Sequence, residues 1–123
     1  MKRLAVTVVI VVAMAFAGGA LASATITGTY RTTITKPASV KGTWTLDFKA
    51  NGSVTVSLNG KVTPNHPSGK GSTLTAPGGH DCHTVGTYKI KLTGNKLTFT
   101  VIKDACKVGR KLILPGHTWI KVS

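Results

Sequence analysis

Apolar and polar side chains alternate over long stretches of the chain after residue 25. The first stretch contains two apolar runs of period two, Trp44-x-Leu46-x-Phe48 and Val54-x-Val56-x-Leu58. Strict alternation predicts half-buried β-strands, and the three residues 50–52 between the runs predict a hairpin loop. Pairing across this loop brings all the large apolar groups to one face, and a slip by one residue would expose them. The predicted pairs are Phe48 with Val54, Leu46 with Val56, and Trp44 with Leu58.

A second hairpin is predicted around the turn pair Gly94-Asn95. Its predicted pairs are Leu92 with Leu97, Ile90 with Phe99, and Tyr88 with Val101. The opposite face of this hairpin then carries Lys89, Lys91 and Lys96 among threonines. Continuing the ladder brings Cys82 and Cys106 to nearly opposite positions, which predicts a disulfide bond at the open end of the hairpin.

Four weaker strands are predicted at residues 26–35, 72–76, 110–114 and 117–122, and no segment after residue 24 has helical periodicity. They contribute further candidate interior residues: Tyr30, Ile34, Leu74, Leu112, Leu114, Ile120 and Val122. The long connection over residues 59–71 is rich in glycine, proline and asparagine, and we interpret it as a mobile loop rather than a functional lid. The residues thus predict an all-β domain of about eight antiparallel strands with one disulfide.

Residues 1–24 have the pattern of a signal peptide. Lys2 and Arg3 precede an apolar run over residues 4–16, and Ala22-Ser23-Ala24 is a small-x-small cleavage signature. Cleavage there leaves a domain of residues 25–123 that is secreted or associated with the cell envelope, where two cysteines are expected to pair. The alternative is an uncleaved anchor, because residues 4–22 are nearly long enough to span a bilayer. After signal cleavage we expect no transmembrane helix.

Composition offers few groups for catalysis. The chain has only three acidic residues, all Asp and well separated, and it lacks the G-x-S-x-G pattern of a nucleophile elbow. The cluster His80-Asp81-Cys82-His83 has metal-binding residue types, but a bridged Cys82 leaves a thin ligand set, so we interpret the cluster as a polar loop beside the disulfide. We therefore predict a protein that is not an enzyme and has no cofactor or metal.

Several motifs together resemble a known family. They are Gly-Thr-Trp-x-Leu-x-Phe, Asn-Gly-Ser-Val-x-Val, Gly-Thr-Tyr-x-Ile-x-Leu-x-Gly-Asn-x-Leu-x-Phe, Asp104-x-Cys106-x-x-x-Arg110 and a closing Trp119. Over most of residues 26–122 the chain resembles small exported bacterial lipocalin-like proteins. The resemblance implies an up-and-down antiparallel barrel of the calycin type, with a role in ligand binding rather than catalysis.

The triplet Gly-Thr-aromatic begins at Gly28, Gly42 and Gly86, and Gly116-His117-Thr118-Trp119 echoes it loosely. One interpretation is a shared way of starting strands, in which glycine allows a sharp turn and the ring faces inward. The other is a layer of rings near one mouth of a barrel, where a small apolar ligand would bind. The candidate ligand-binding residues are Tyr30, Trp44, Tyr88 and Trp119.

The formal net charge of +13 is the strongest functional signal of the composition. In an exported protein it indicates contact with an anionic envelope polymer or with lipid headgroups, although a basic surface without any partner gives the same count. The candidate anion-binding residues are Lys89, Lys91, Lys96, Lys103, Lys107, Arg110 and Lys111. We expect no specific nucleic-acid binding, because the aromatic residues of the hairpins face inward and cannot stack on bases.

Overall fold

The computed structural model describes residues 26–79, 82–106 and 109–123. Within these residues the chain forms nine β-strands, a single turn of 3-10 helix over Ala38–Val40 and one short α-helix, α1, over Arg110–Ile113. The strands are β1 (Gly28–Ile34), β2 (Gly42–Phe48), β3 (Val54–Leu58), β4 (Lys61–Val62), β5 (Ser68–Lys70), β6 (Thr73–Ala76), β7 (Gly86–Thr93), β8 (Lys96–Lys103) and β9 (Trp119–Lys121). The all-β fold class is confirmed.

The strands form one antiparallel sheet in the order β4-β3-β2-β1-β9-β8-β7-β6-β5. Every pair in this order is consecutive in the chain except β1 with β9, so the sheet is an up-and-down meander that curls back on itself. The sheet is closed where β5 meets the residues at the start of β3. Ser53 and Ser68 form an isolated antiparallel bridge, and the Val54 N–H donates to the Pro67 carbonyl at 3.0 Å. We call this junction of residues 52–54 with residues 67–69 the seam.

Both predicted hairpins have the predicted registers. Between β2 and β3, the paired residues are Trp44 with Leu58, Leu46 with Val56, and Phe48 with Val54. Between β7 and β8, they are Tyr88 with Val101, Ile90 with Phe99, and Leu92 with Leu97. The alternation and the short turns therefore suffice to define these pairings, because only this register buries the apolar face.

A register shift interrupts the second hairpin near the end of β8. Tyr88 pairs with Val101, but Thr87 pairs with Lys103, so Ile102 is the extra residue of a β-bulge. A bulge reverses which side of the sheet the following side chains face. Asp104, which regular alternation would place outside, is consequently buried.

The core fills most of the space inside the curled sheet. Its largest fully buried side chains are Trp119, Tyr30, Tyr88, Ile34, Leu46, Leu74 and Leu97. The ring of Tyr30 meets Phe48 edge to face at 5.9 Å between centroids, and Phe99 meets Trp119 in the same way at 6.0 Å. Such edge-to-face pairs add to the stabilisation from burial alone.

Three sequence predictions about the interior are wrong. Ile120 and Val122 are exposed, because Trp119 faces the core and its neighbours in β9 alternate with it. Leu92 is also largely exposed, since it lies at the end of β7 beside the turn.

Two predictions about segments also need correction. Residues 110–114 do not form a strand: residues 110–113 are the helix α1, which follows Gly109 with a φ of 65°. Residues 59–71 are not one loop, because they contain β4 and β5. β4 pairs with β3, and β5 pairs with β6. Both are short polar sequences held by backbone bonds, so they carry little hydrophobic pattern.

The disulfide between Cys82 and Cys106 is confirmed, with 5.7 Å between the Cα atoms. It joins the segment before β7 to the segment after β8, at the open end of their hairpin. The predicted signal peptide lies outside the described residues and stays a prediction. None of the helices in the described part of the chain is long and apolar enough to cross a bilayer.

Candidate binding cavity and its buried ion pair

A cavity of about 260 Å³ lies at the end of the curled sheet where β2 and β7 begin and β3 and β6 end. Its walls are mainly apolar and come from the inner face of the sheet, the 3-10 helix, the segment beside the seam, and α1. The lining includes Val40, Trp44, His66, Ala76, Arg110 and Leu114. A cavity of this kind forms because α1 and the 3-10 helix cover this end of the sheet without filling it.

Trp44 is fixed in the cavity wall by its own polar atom. The indole is only 6% exposed, and its Nε1–H donates to the Val40 carbonyl at 2.8 Å. This bond satisfies the only donor of the indole and ties β2 to the 3-10 helix. The ring therefore presents a fixed apolar surface to the cavity rather than a mobile one.

A buried ion pair fixes the part of the cavity wall that Arg110 forms. The Asp104 side chain is fully buried, and the Arg110 side chain is 12% exposed. Arg110 donates to both carboxylate oxygens, from Nε to Oδ2 at 2.7 Å and from Nη2 to Oδ1 at 2.9 Å. The Tyr88 hydroxyl donates to Oδ2, and the Cys106 N–H donates to Oδ1 at 2.9 Å. We call Asp104, Arg110 and Tyr88 the Asp104 clamp.

The remaining donors of Arg110 tie α1 to the loops before β7. Nη1 donates to the Pro77 carbonyl at 3.2 Å, and Nη2 donates to the Thr84 carbonyl. A buried charge is tolerated only when it is paired and its polar atoms are hydrogen-bonded. Because the clamp meets both conditions, it anchors α1 over the cavity.

The protonation states of the clamp are set by these contacts. Burial alone would raise the pKa of the Asp104 carboxyl, but the hydrogen bonds from Arg110, Tyr88 and the Cys106 N–H outweigh it and lower the pKa to about 2. Burial and the hydrogen bond to Asp104 raise the pKa of Tyr88 well above its ordinary value, and the bond to Asp104 raises the pKa of Arg110. Near neutral pH Asp104 is therefore ionised while Tyr88 and Arg110 keep their protons. The charges of the clamp do not change in this range, and it acts as a fixed structural element.

The glycine that begins β7 is required by the clamp. A Cβ at Gly86 would lie 2.6 Å from Asp104 Oδ2 and 2.9 Å from Arg110 Nε. The ion pair of Asp104 and Arg110 therefore packs directly against the backbone of Gly86, where a side chain does not fit. This close approach explains the glycine of one Gly-Thr-aromatic triplet by packing.

The predicted aromatic residues do not come together as one layer. Trp44 lines the cavity, whereas the other three rings serve the core or the clamp. Tyr30 packs on Phe48, Tyr88 donates to Asp104, and Trp119 packs on Phe99. The cavity thus contains one of the four candidate ligand-binding residues.

The predicted basic residues fall into different surroundings. Lys89, Lys91, Lys96 and Lys103 are exposed, and Lys111 is half-buried. Arg110 is committed to Asp104. Lys107 lies outside the described residues, as do His80 and Asp81 of the histidine cluster. Within residues 26–79, 82–106 and 109–123, no group of three or more His, Cys, Asp or Glu side chains is placed to hold a metal ion.

Sequence reasoning missed Asp104 and His66 as parts of this site. The signal for Asp104 was available, because it is an isolated acid in a basic segment, two residues before a bridged cysteine and six before Arg110. His66 gives no such signal, since it reaches the cavity only through the path of the chain beside the seam. Compared with known proteins, the chain matches no protein-family model, no curated protein and no solved structure.

Proposed function

We propose that this chain is an exported, non-catalytic binding protein of lipocalin-like type, which holds a small, largely apolar molecule in the cavity beside Trp44. The observation that supports this proposal is the cavity itself. Its volume of about 260 Å³ lies just below the usual range of roughly 300–1,000 Å³ for small-molecule sites, so the ligand must be small. Curled antiparallel sheets with one open end are a known architecture for holding one small ligand.

The chemistry of the walls favours an uncharged ligand. The indole of Trp44 and the side chains of Val40 and Leu114 supply apolar surface. The Arg110 charge is matched by Asp104, so it offers little net attraction to an anion. His66 supplies ring nitrogens that can fix the orientation of a ligand at the rim.

The disulfide supports the proposed location. Disulfide bonds persist in oxidising compartments and are rare in the cytosol. A bond between Cys82 and Cys106 is therefore in keeping with a protein that acts at or outside the cell envelope.

The experiment is a titration of the protein with benzene, indole and 2-naphthol, followed by two-dimensional NMR. We expect concentration-dependent shifts confined to residues around the cavity. The variant Ala76→Met extends a side chain into the cavity and should abolish these shifts, since Ala76 lines the wall. Ala50→Met is the matched control, because Ala50 is exposed at the opposite end of the sheet. Equal binding by both variants, or no localised shifts with any probe, would refute the proposal.

A further inference from the structure

The outer face of β7 and β8 carries a regular set of lysines. Lys89, Lys91, Lys96 and Lys103 are all exposed, and we call them the lysine face. Each one lies directly opposite a threonine on the neighbouring strand. The pairs are Lys89 with Thr100, Lys91 with Thr98, Lys96 with Thr93, and Lys103 with Thr87. The register therefore spreads the charges over one face without placing two lysines directly opposite each other.

These charges have no carboxylate partner among the described residues. The described acids are Asp47, which pairs with Lys49 at 2.9 Å on another part of the sheet, and Asp104, which is buried in the clamp. An exposed set of like charges without a counter-charge repels itself. An anionic partner would relieve this repulsion.

The spacing of the lysine face suits a linear polyanion. Residues two apart in a strand are separated by about 7 Å, and diagonal neighbours across an antiparallel pair by about 7–8 Å. Lys89, Lys91 and Lys96 therefore form a row of charges at nearly equal intervals, because Lys96 lies diagonal to Lys91. A polymer with an anionic group on each repeating unit can contact several members of such a row at once.

Two other anionic partners fit this face less well. Single-stranded nucleic acid is usually held by exposed aromatic rings that stack on bases, and the six aromatic residues of the described chain are all buried. A membrane surface is usually approached by aromatic anchors beside the lysines. The exposed apolar side chains next to the lysine face, Leu92, Ile102 and Ile120, include no aromatic ring. In addition, the outside of a curled sheet is convex and meets a flat bilayer at few points.

We propose that the lysine face binds an acidic polysaccharide, which is a linear polyanion without aromatic units and with many hydroxyl groups. The threonines between the lysines supply hydroxyl groups that can hydrogen-bond to the hydroxyl groups of such a polymer. The face lies on the opposite side of the sheet from the cavity, so both can be occupied together. The proposal does not depend on the cavity binding a ligand.

The test compares two triple variants with the same change in charge. Lys89→Gln, Lys91→Gln and Lys96→Gln remove the row. Lys36→Gln, Lys41→Gln and Lys61→Gln remove three exposed lysines elsewhere. Lys49 is unsuitable for the control because it is paired with Asp47. Unchanged unfolding midpoints in urea establish that both variants fold.

Binding is measured against salt concentration with heparin, poly(glycerol phosphate), oligo(dT) and anionic vesicles. We expect heparin to bind the wild-type protein more tightly than poly(glycerol phosphate) does. Removing the row should weaken binding and reduce the slope of log K against log salt by about 2, at about 0.7 per lysine. The control should keep most of the slope. Equal losses in both variants, no heparin binding at low salt, or preferential binding of poly(glycerol phosphate), oligo(dT) or vesicles would each overturn the proposal.

Discussion

Substituting Gly86 by alanine tests the packing of the Asp104 clamp with a single added carbon. The new Cβ would lie 2.6 Å from Asp104 Oδ2, which must retreat by roughly 0.8 Å before the contact reaches an ordinary 3.4 Å. The carboxylate cannot move freely, because Arg110, Tyr88 and the Cys106 N–H all hold it. The clamp must therefore distort, or β7 must shift.

The expected change in the free energy of unfolding combines two losses and one gain. Forcing an extra carbon into a packed site costs about 1–3 kcal/mol, and breaking a buried ion pair costs about 3–5 kcal/mol. Replacing glycine by alanine restores about 0.4–1 kcal/mol by restricting the unfolded chain. We therefore expect Gly86→Ala to lower the free energy of unfolding by about 2–4 kcal/mol, a large share of the typical total for a domain of this size.

The assay is urea unfolding from pH 7 to pH 2, with Gly79→Ala as the control, since a Cβ at Gly79 meets no atom within 4 Å. The pKa of Asp104 is lowered in the folded state to about 2, so its stabilising contribution is present above the unfolded pKa and is lost as the pH falls through about 2. The deficit of Gly86→Ala relative to wild type should therefore shrink towards pH 2. A Gly86→Ala protein as stable as the control at pH 7 would refute the reasoning.

Three further predictions concern the same end of the fold. Replacing both Cys82 and Cys106 by alanine should lower the free energy of unfolding by roughly 3.5 kcal/mol on the chain-entropy estimate, and a urea midpoint equal to that of wild type would contradict this. Trp44→Ala should cost about 3–5 kcal/mol, because it removes a buried ring and its bond to Val40; thermal unfolding measures this, and a small shift would show that the ring is not held. Asp104→Asn should cost about 3–5 kcal/mol at pH 7, since it leaves the Arg110 charge buried without its partner. Between about pH 4 and pH 2 the free energy of unfolding of wild type should fall, and this fall should be absent in the variant. The same fall in the variant would exclude Asp104 as the group responsible for it.

The hairpins could be predicted from sequence because two local signals agree. Alternation defines which face of each strand is buried, and a short turn leaves only one register that aligns those faces. In the second hairpin this reasoning places Tyr88 opposite Val101 correctly. It also brings the two cysteines close enough to predict their bond.

The bulge at Ile102 marks the point where this reasoning fails. One extra residue reverses the alternation after Val101, and nothing in the local pattern announces it. Asp104 is turned inward by this shift, and its pairing with Arg110 holds α1 in place. The apolar positions Leu112 and Leu114 fit a strand equally well by spacing, so the helix follows from a tertiary contact rather than from periodicity. The cavity could not be predicted for the same reason, since its walls are assembled by these contacts.

Part of the cavity wall lies directly beside the seam. Asn65, His66 and Pro67 line the cavity, and they belong to the connection from β4 to β5 that leads into the seam. Every other pair of neighbouring strands is joined by a ladder of two or more residue pairs. At the seam the two sides meet through an isolated bridge between Ser53 and Ser68 and a few backbone bonds. Parting the strands here disrupts fewer hydrogen bonds than lifting α1 away from the Asp104 clamp. If the cavity holds a ligand as proposed, opening of the seam would add a second route beside the rim at His66. A cross-link over the seam would then slow uptake and release together while leaving affinity nearly unchanged.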